Sequence, residues 1–359
     1  MAVALRESYS DLVLEKLRKE LVLKDNIIFN TDYDGEPTSG AVKVYVNDAE
    51  ATVSDYNTAS GLAGESISNS YITIPINKDK ACNIIIDGYE ADAVAPDVLA
   101  ERLDSAGYAL ALQVDTDGGA ELVTEGTAQN IASLTKDNIY SEIVKLRTKL
   151  SKLNVPKQGR YLLVTPDALA LLLNAPEFIS ASNLGDEVKK NGAIGQIAGF
   201  TVYEWNDSTA NLSMIAGHPK YATRVLAWKV PVKVVNLDGD AAMIGASAIK
   251  GRICYASKVL RASCILPVFS PTAIAVVGTA LTGADEGKYT CTATATDSGT
   301  LKYKVITDGV LTPYGADATG FSSFTSGTTK ITASSGNIIE IGEFNSDSKL
   351  IASGYYTVE

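Results

Sequence analysis

The sequence predicts an α+β fold that ends in an all-β segment. Three observations carry this. Apolar residues recur at helical spacing over residues 8–22, 96–123 and 139–153. Strict two-residue alternation appears around residues 42–46 and 72–76. Past Pro271 every helical period is lost, while Gly, Ser and Thr rise.

The first helix is expected over residues 8–22. Ser8 and Asp11 approximate a capping box, and Tyr9, Leu12, Val13, Leu17 and Leu21 form the apolar stripe. Its wet side mixes Glu15, Lys16, Arg18, Lys19 and Glu20, which disfavours membrane anchoring. After the turn residues Tyr33–Pro37, a strand places Val42, Val44 and Val46 on one face and Lys43, Tyr45 and Asn47 on the other. A partner strand carries Ile72, Ile74 and Ile76, and Pro75 confines it to an edge. The long Gly-, Ala-, Ser- and Asn-rich connection makes this a projecting hairpin that needs another surface, a neighbouring subunit's first of all, since two strands alone are marginal; an ordinary surface loop is the alternative. Tyr56 and Leu62 are the expected contacts with a neighbouring subunit.

A strand at Asn83–Asp87 leads to a long helix with Pro96 in its first turn. Run to about Val123 it is roughly 40 Å long, and Gly118-Gly119 weaken it there by about 1 kcal/mol per glycine, which leaves room for a bend or an early end. Ile139, Ile143, Leu146, Leu150 and Leu153 mark the next helix, with Pro156 past its end. The strand Tyr161–Val164 follows, and Thr165 then caps a short helix with Pro166 at its first position. Further strands are expected at Phe200–Glu204, Arg224–Trp228 and Val230–Val235, with a last pair between Gly251 and Val268. Beyond a boundary at 271/272, short alternations at 273–277, 289–295, 301–306, 330–333, 338–341 and 355–358 fit a small β-sandwich or barrel.

Composition excludes several functions. The 359 residues carry a net charge of −11 and no basic block, so sequence-specific DNA reading is not expected. No apolar run is long enough for a membrane span. The N-terminus lacks a signal-peptide pattern, so synthesis and retention in a cytoplasm are expected. Four cysteines without a C-x-x-C pair argue against zinc and against a disulfide framework. The single histidine, His218, has no placed acid–base partner in sequence. Asp115-Thr116-Asp117-Gly118 opens like a calcium loop, but Gly126 stands where the bidentate glutamate should be. Asp285–Cys291 resembles the tyrosine-corner strand of immunoglobulin domains. About seventy residues follow it, however, and neither a partner cysteine nor a core tryptophan lies in the same segment, so only "β-sandwich" is retained. No catalytic, cofactor-binding or metal-binding residue is assigned, and the chain is not expected to be an enzyme.

Gly159-Arg160-Tyr161-Leu162-Leu163-Val164-Thr165-Pro166-Asp167, the run to Leu173, Pro176-Glu177-Phe178 and the glycine loop Gly192–Gly199 ending in Phe200-Thr201-Val202 form the most specific pattern. Together with Thr52-Val53-Ser54-Asp55-Tyr56 and Lys258-Val259-Leu260-Arg261, this order resembles the tailed-bacteriophage major capsid proteins of the Hong Kong 97-like fold. The resemblance covers residues 1–268. It implies an N-terminal arm (1–35), an extended loop (36–80), a capsid body (81–271) and, outside the family pattern, the C-terminal β domain (272–359). Within the body it implies a spine helix from Pro96, an axial domain over 160–250, and a peripheral domain from 124–160 and 251–268. It further implies a shell of hexamers and pentamers enclosing double-stranded DNA, a portal, assembly in the bacterial cytoplasm and residence in the virion. With no room for a cleaved scaffolding segment, a separate scaffolding protein is expected. The alternatives are an encapsulin-like nanocompartment shell, a tail or surface adhesion protein and, last, an enzyme with an unrecognised site.

Overall fold

A computed structural model describes residues 18–33, 40–46, 53–58, 70–87, 98–176, 195–237 and 245–359. They divide into two compact units, one within Met1–Glu121 and Ala222–Leu260, the other within Leu122–Tyr221 and Arg261–Glu359.

In the first unit, β1 (Ala41–Val46) and β2 (Ser70–Pro75) form an antiparallel pair. β3 (Lys78–Ile86), β10 (Ser247–Val259) and β9 (Ala222–Asn236) form an antiparallel sheet in the order β3-β10-β9. The two strands expected between 224 and 235 are thus one strand. Pro231 lies where the register shifts opposite Lys250 and Arg252, so its missing N–H breaks no ladder bond. Helix α1 (Val98–Glu125) packs on this sheet through Leu103 and Ala106 against Ile86 and Ile249. A Cβ on Gly251 would stand 2.7 Å from Val232 and 3.1 Å from Leu110, so the bare backbone lets helix and sheet close. Strand β9 and the first half of β10, expected in the axial part of the body, therefore belong with β3 and α1.

Helix α1 does not end at Gly118-Gly119. A Cβ on Gly118 would lie 2.9 Å from Arg224 Nη2 and 3.1 Å from the Phe29 ring. The glycine admits those two side chains, and their packing offsets its weak propensity. The helix expected over 8–22 is not helical at residues 18–22, and its earlier part lies outside the described residues. Its backbone groups are taken by other elements: Leu23 N–H donates to Asp115 Oδ1 (2.8 Å), and Lys19 O accepts from Tyr108 Oη (2.9 Å).

The second unit holds a six-stranded sheet in the order β4 (Gln129–Asn130), β11 (Leu266–Phe269), β8 (Leu212–Gly217), β5 (Tyr161–Val164), β7 (Phe200–Glu204), β6 (Gln196–Ile197). Helix α2 (Ile139–Lys152) buries Ile139, Ile143, Leu146 and Leu150, and α3 (Pro166–Leu173) buries Ala168 and Leu172, in a core shared with Phe200, Met214 and Leu266. Sequence reading missed β8. All six of its residues are buried, so no alternation marks it. Thr165 occupies the N-cap of α3 but gives no side-chain cap; its hydroxyl donates to Ser213 O (3.1 Å) and ties α3 to β8.

Residues 272–359 form a five-stranded sheet, in the order β12 (Thr272–Ala273), β19 (Leu350–Thr357), β18 (Ile338–Phe344), β15 (Thr300–Ile306), β16 (Ser322–Ser323). A three-stranded sheet has the order β13 (Val277–Ala280), β14 (Lys288–Thr292), β17 (Lys330–Thr332). Ile339, Ile341 and Ala352 from one sheet meet Cys291 and Ile331 from the other in a core of their own. Two buried carboxylates organise the loops. Glu343 accepts from the backbone N–H groups of Thr296 (2.7 Å), Asp297 (3.0 Å) and Gly299 (3.0 Å) and from the Thr296 hydroxyl (2.9 Å). Glu340 accepts from Thr312 N–H (2.9 Å) and Oγ1 (2.7 Å). Two residues on, Tyr314 stacks on Phe269 with ring centroids 5.7 Å apart, and its N–H donates to Ile131 O (3.0 Å).

Burial raises the Glu340 carboxyl above its ordinary 4.5, against the two Thr312 hydrogen bonds and the Lys304 charge, which lower it. A carboxyl with a raised folded pKa costs stability once pH exceeds that pKa, and the cost vanishes as pH falls to the unfolded value. Glu340→Gln keeps an acceptor for Thr312 N–H without the charge. The variant is expected to melt above the parent at pH 8 and to lose that advantage near pH 4. A constant difference across this range would contradict the assignment.

Candidate assembly surfaces

The β1–β2 hairpin has two unlike faces. Val44 and Ile74 point inward and are buried with Val225 of β9 and Ala256 of β10, rimmed by Tyr33, Val42 and Leu260. Opposite them, Tyr45 and Tyr71 face each other in register, ring centroids 5.7 Å apart and edge-on, and are 48% and 62% exposed. Between the strands in sequence, Val53 and Tyr56 are 96% and 70% exposed. Leu62 lies outside the described residues. Three tyrosines thus sit in water on one appendage, where amphipathic rings suited to interfaces are expected only if a partner covers them.

A second exposed surface is the face of the β3-β10-β9 sheet turned away from α1. Arg252 donates Nε to Asp79 Oδ1 at 2.8 Å and Nη2 to Asp79 Oδ2, a bidentate fork. The guanidinium also lies 5.3 Å from the ring of Trp228, which is 40% exposed. The Arg252 hydrogen bond holds the Asp79 carboxyl down at about 2, and Asp79 in turn raises the Arg252 pKa. Ile85 on the same face is 48% exposed. Sequence reading did not single out Asp79, Trp228 or Arg252. They are distant in the chain and meet only through strand register, which the residues alone do not give.

The motif that carried the sequence resemblance has a structural job. Arg160 is 3% exposed and donates to the carbonyls of Val155 (2.6 Å), Pro156 (2.8 Å) and Arg147 (3.4 Å) and to Ser151 Oγ (3.1 Å). It therefore ties the loop after α2, at Val155 and Pro156, back to the helix at Arg147 and Ser151. A Cβ on Gly217 would lie 2.5 Å from Tyr161 Oη, so that glycine makes room for the buried phenol. His218 pins the adjoining loop: Nε2 meets Gln158 O at 2.9 Å and Nδ1 accepts from Lys220 N–H at 3.1 Å. Burial, aided by the Arg160 and Lys220 charges, holds its pKa below the ordinary value. Asp115 and Asp117 of the calcium-like stretch are helical and serve Leu23 N–H and Tyr255 Oη. Cys82, Cys254, Cys264 and Cys291 are free thiols, the last two buried. Among the described residues no group of three His, Cys, Asp or Glu could hold a metal, and no helix is long and apolar enough to cross a membrane.

Residues 89–275, slightly more than half of the chain, match the family model described as phage capsid protein. The chain belongs to the phage capsid protein family. A comparison with curated proteins found no match. Among solved structures, the chain is similar to one from Mycobacterium phage Che8, at 24% identity and a TM-score of 0.63 over 74% of this chain and 97% of that one. It is similar to the capsid of Cyanophage P-SCSP1u at 16% identity and a TM-score of 0.63, over 74% and 93%. A third likeness is to the mature capsid of bacteriophage PhiM1, at 14% identity and a TM-score of 0.60, over 74% and 91%. The fold is the Hong Kong 97-like one, and this phage capsid protein is a shell subunit of the virion that assembles with copies of itself. The encapsulin-like and tail-protein readings are not favoured.

The anchored side of the hairpin gives a test. Ile74→Ser puts a hydroxyl into an apolar seat and is expected to detach the hairpin, at a local cost of about 2–4 kcal/mol. Hydrogen exchange at residues 41–46 should accelerate accordingly. Tyr71→Ser, on the wet face, should leave that exchange unchanged.

Proposed function

We propose that this capsid protein forms the hexamers and pentamers of an icosahedral head around double-stranded DNA, built in the bacterial cytoplasm with a separate scaffolding protein and a portal. The observation that supports this reading is the two-faced hairpin. Its inner row is seated on its own subunit, and its outer tyrosines, with Tyr56, are left for a neighbour. Residues 50–70, with Tyr56 and Leu62, lie across an adjacent subunit. The exposed Trp228–Arg252–Asp79 face has the composition of an interface centre and is a suitable receiver. Tethered contacts add through effective concentration, so each stays reversible while the shell is stable. Deleting residues 54–68 is expected to leave a folded monomer that does not assemble with its scaffold; normal shells in electron micrographs of the deletion would exclude this role.

We further propose that residues 272–359 stand on the outer face of the shell as a stabilising or adhesive domain. Their own apolar core supports independent folding. Acidic residues exceed lysines there, which disfavours a DNA-facing position. Val268 is buried in β11, so a cut belongs after Ser270 rather than at 268. That truncation removes the Tyr314 stacking on Phe269. It is expected to yield shells that open at a lower temperature in light scattering. A truncated chain that cannot fold, or micrographs with the domain on the inner wall, would reject the proposal.

A further inference from the structure

The chain's negative charge is unevenly spread, and one helix face carries the opposite sign. Between residues 136 and 157 there are six cations, Lys136, Lys145, Arg147, Lys149, Lys152 and Lys157, against Asp137 and Glu142, in a chain whose net charge is −11. All six are exposed. Lys145, Lys149 and Lys152 recur at helical spacing on α2, opposite the buried Ile143, Leu146 and Leu150. A shallow groove runs along this face, lined by Tyr140, Ser141, Val144 and Thr148 besides the three lysines. Glu142 pairs with Lys145 at 2.6 Å and Lys149 donates to Gln129 Oε1 at 2.6 Å, which leaves both ammonium groups with further donors to offer.

Helix capping does not account for this face. Lysines in a last turn complement the helix dipole. Here the backbone N–H groups of Leu153, Val155 and Asn154 already take the Lys149, Leu150 and Ser151 carbonyls. Lys136, Lys145 and Lys157 lie outside the last turn altogether. A protein–protein interface is a poorer match as well. Such interfaces have an apolar, aromatic centre depleted in lysine. This face has Val144, 36% exposed, as its apolar element, surrounded by hydroxyls and ammonium groups. Thr148 spends its hydroxyl proton on Val144 O (2.9 Å), but lysines interleaved with Ser and Tyr hydroxyls are donors that meet phosphate oxygens, and they carry no base specificity.

We propose that the α2 face of Lys145, Lys149 and Lys152 contacts the phosphate backbone of the enclosed double-stranded DNA. This rests on the head-shell reading above. The chain as a whole is acidic, so a local cationic face holds the polymer loosely and leaves it mobile.

The test uses the purified full-length chain and a labelled 20-base-pair duplex of arbitrary sequence, followed by fluorescence anisotropy at rising salt. Wild type should bind at low salt, independently of sequence. The variant Lys145→Gln/Lys149→Gln/Lys152→Gln should bind at least about tenfold more weakly, with a log–log salt slope shallower by about 2.7, the value for three lost phosphate contacts. Its melting temperature should be unchanged, because the three side chains are exposed. A control with the same charge change elsewhere, Lys43→Gln/Lys80→Gln/Lys250→Gln, should retain wild-type affinity. No binding by wild type, or equal loss in the control, overturns the proposal. If the α2 variant binds DNA normally but no longer forms empty shells, the face meets an acidic neighbour and the proposal is wrong. Failure of wild type to form shells at all would instead count against the head-shell reading, so the two are separable.

Discussion

The first unit depends on what adjacent residues of β9 do on opposite faces. Arg224 reaches to one side, Val225 to the other. The Arg224 guanidinium donates Nη1 to Leu23 O (3.0 Å) and Asp25 Oδ1 (2.8 Å) and lies 4.6 Å from the Phe29 ring. Among the described residues its Nε and Nη2 have no hydrogen-bond partner, and the ring face compensates their burial. That arrangement exists only because position 118 of α1 has no side chain. One cation therefore fastens the N-terminal segment, the long helix and the sheet together, and backbone bonds between Asn30 and the Ala222–Arg224 stretch (2.8 and 2.9 Å) complete the seam.

Val225, one residue on, is fully buried in the seat of the hairpin. The same strand thus moors both of the chain's extended pieces. The moorings differ in kind. The hairpin's is apolar and non-directional and sets only which face is down. The N-terminal segment's is polar and directional and sets register. A shell subunit needs both: an appendage that can adjust to slightly different neighbours, and a frame that does not move when it does.

Much of this was legible in the sequence, for reasons that can be assigned residue by residue. The alternation of Val42 and Val44 with Lys43 and Tyr45 gave the hairpin's inner and outer faces, because a half-buried strand writes its environment into every second residue. The stripe of Ile139, Ile143, Leu146 and Leu150 gave α2 in the same way. Strand β8 was not legible, since burial on both faces erases alternation. The reason α1 continues through two glycines was not legible either. It depends on Phe29 and Arg224, which lie far from it in the chain. Of the assembly surfaces, Tyr56 could be named from its loop. The Asp79–Arg252–Trp228 cluster could not, because three strands had to be placed in register first. The cationic face of α2 was in plain view as a run of lysines and was hidden by averaging over an acidic chain.

The C-terminal segment poses a different problem, which is how two β-sheets of under ninety residues hold their loops without cross-links. Its one cysteine, Cys291, is buried in the core between the two sheets and has no partner thiol. Buried carboxylates do the work instead. Glu343 gathers three consecutive-loop N–H groups and a hydroxyl, and Glu340 holds Thr312, two residues from the tyrosine that stacks on Phe269. A carboxylate with several backbone donors resists removal, because every orphaned N–H then carries a desolvation penalty of about 1–3 kcal/mol. Such clamps also need no oxidising compartment. A disulfide-stapled sandwich depends on an oxidising environment to mature, whereas this one does not.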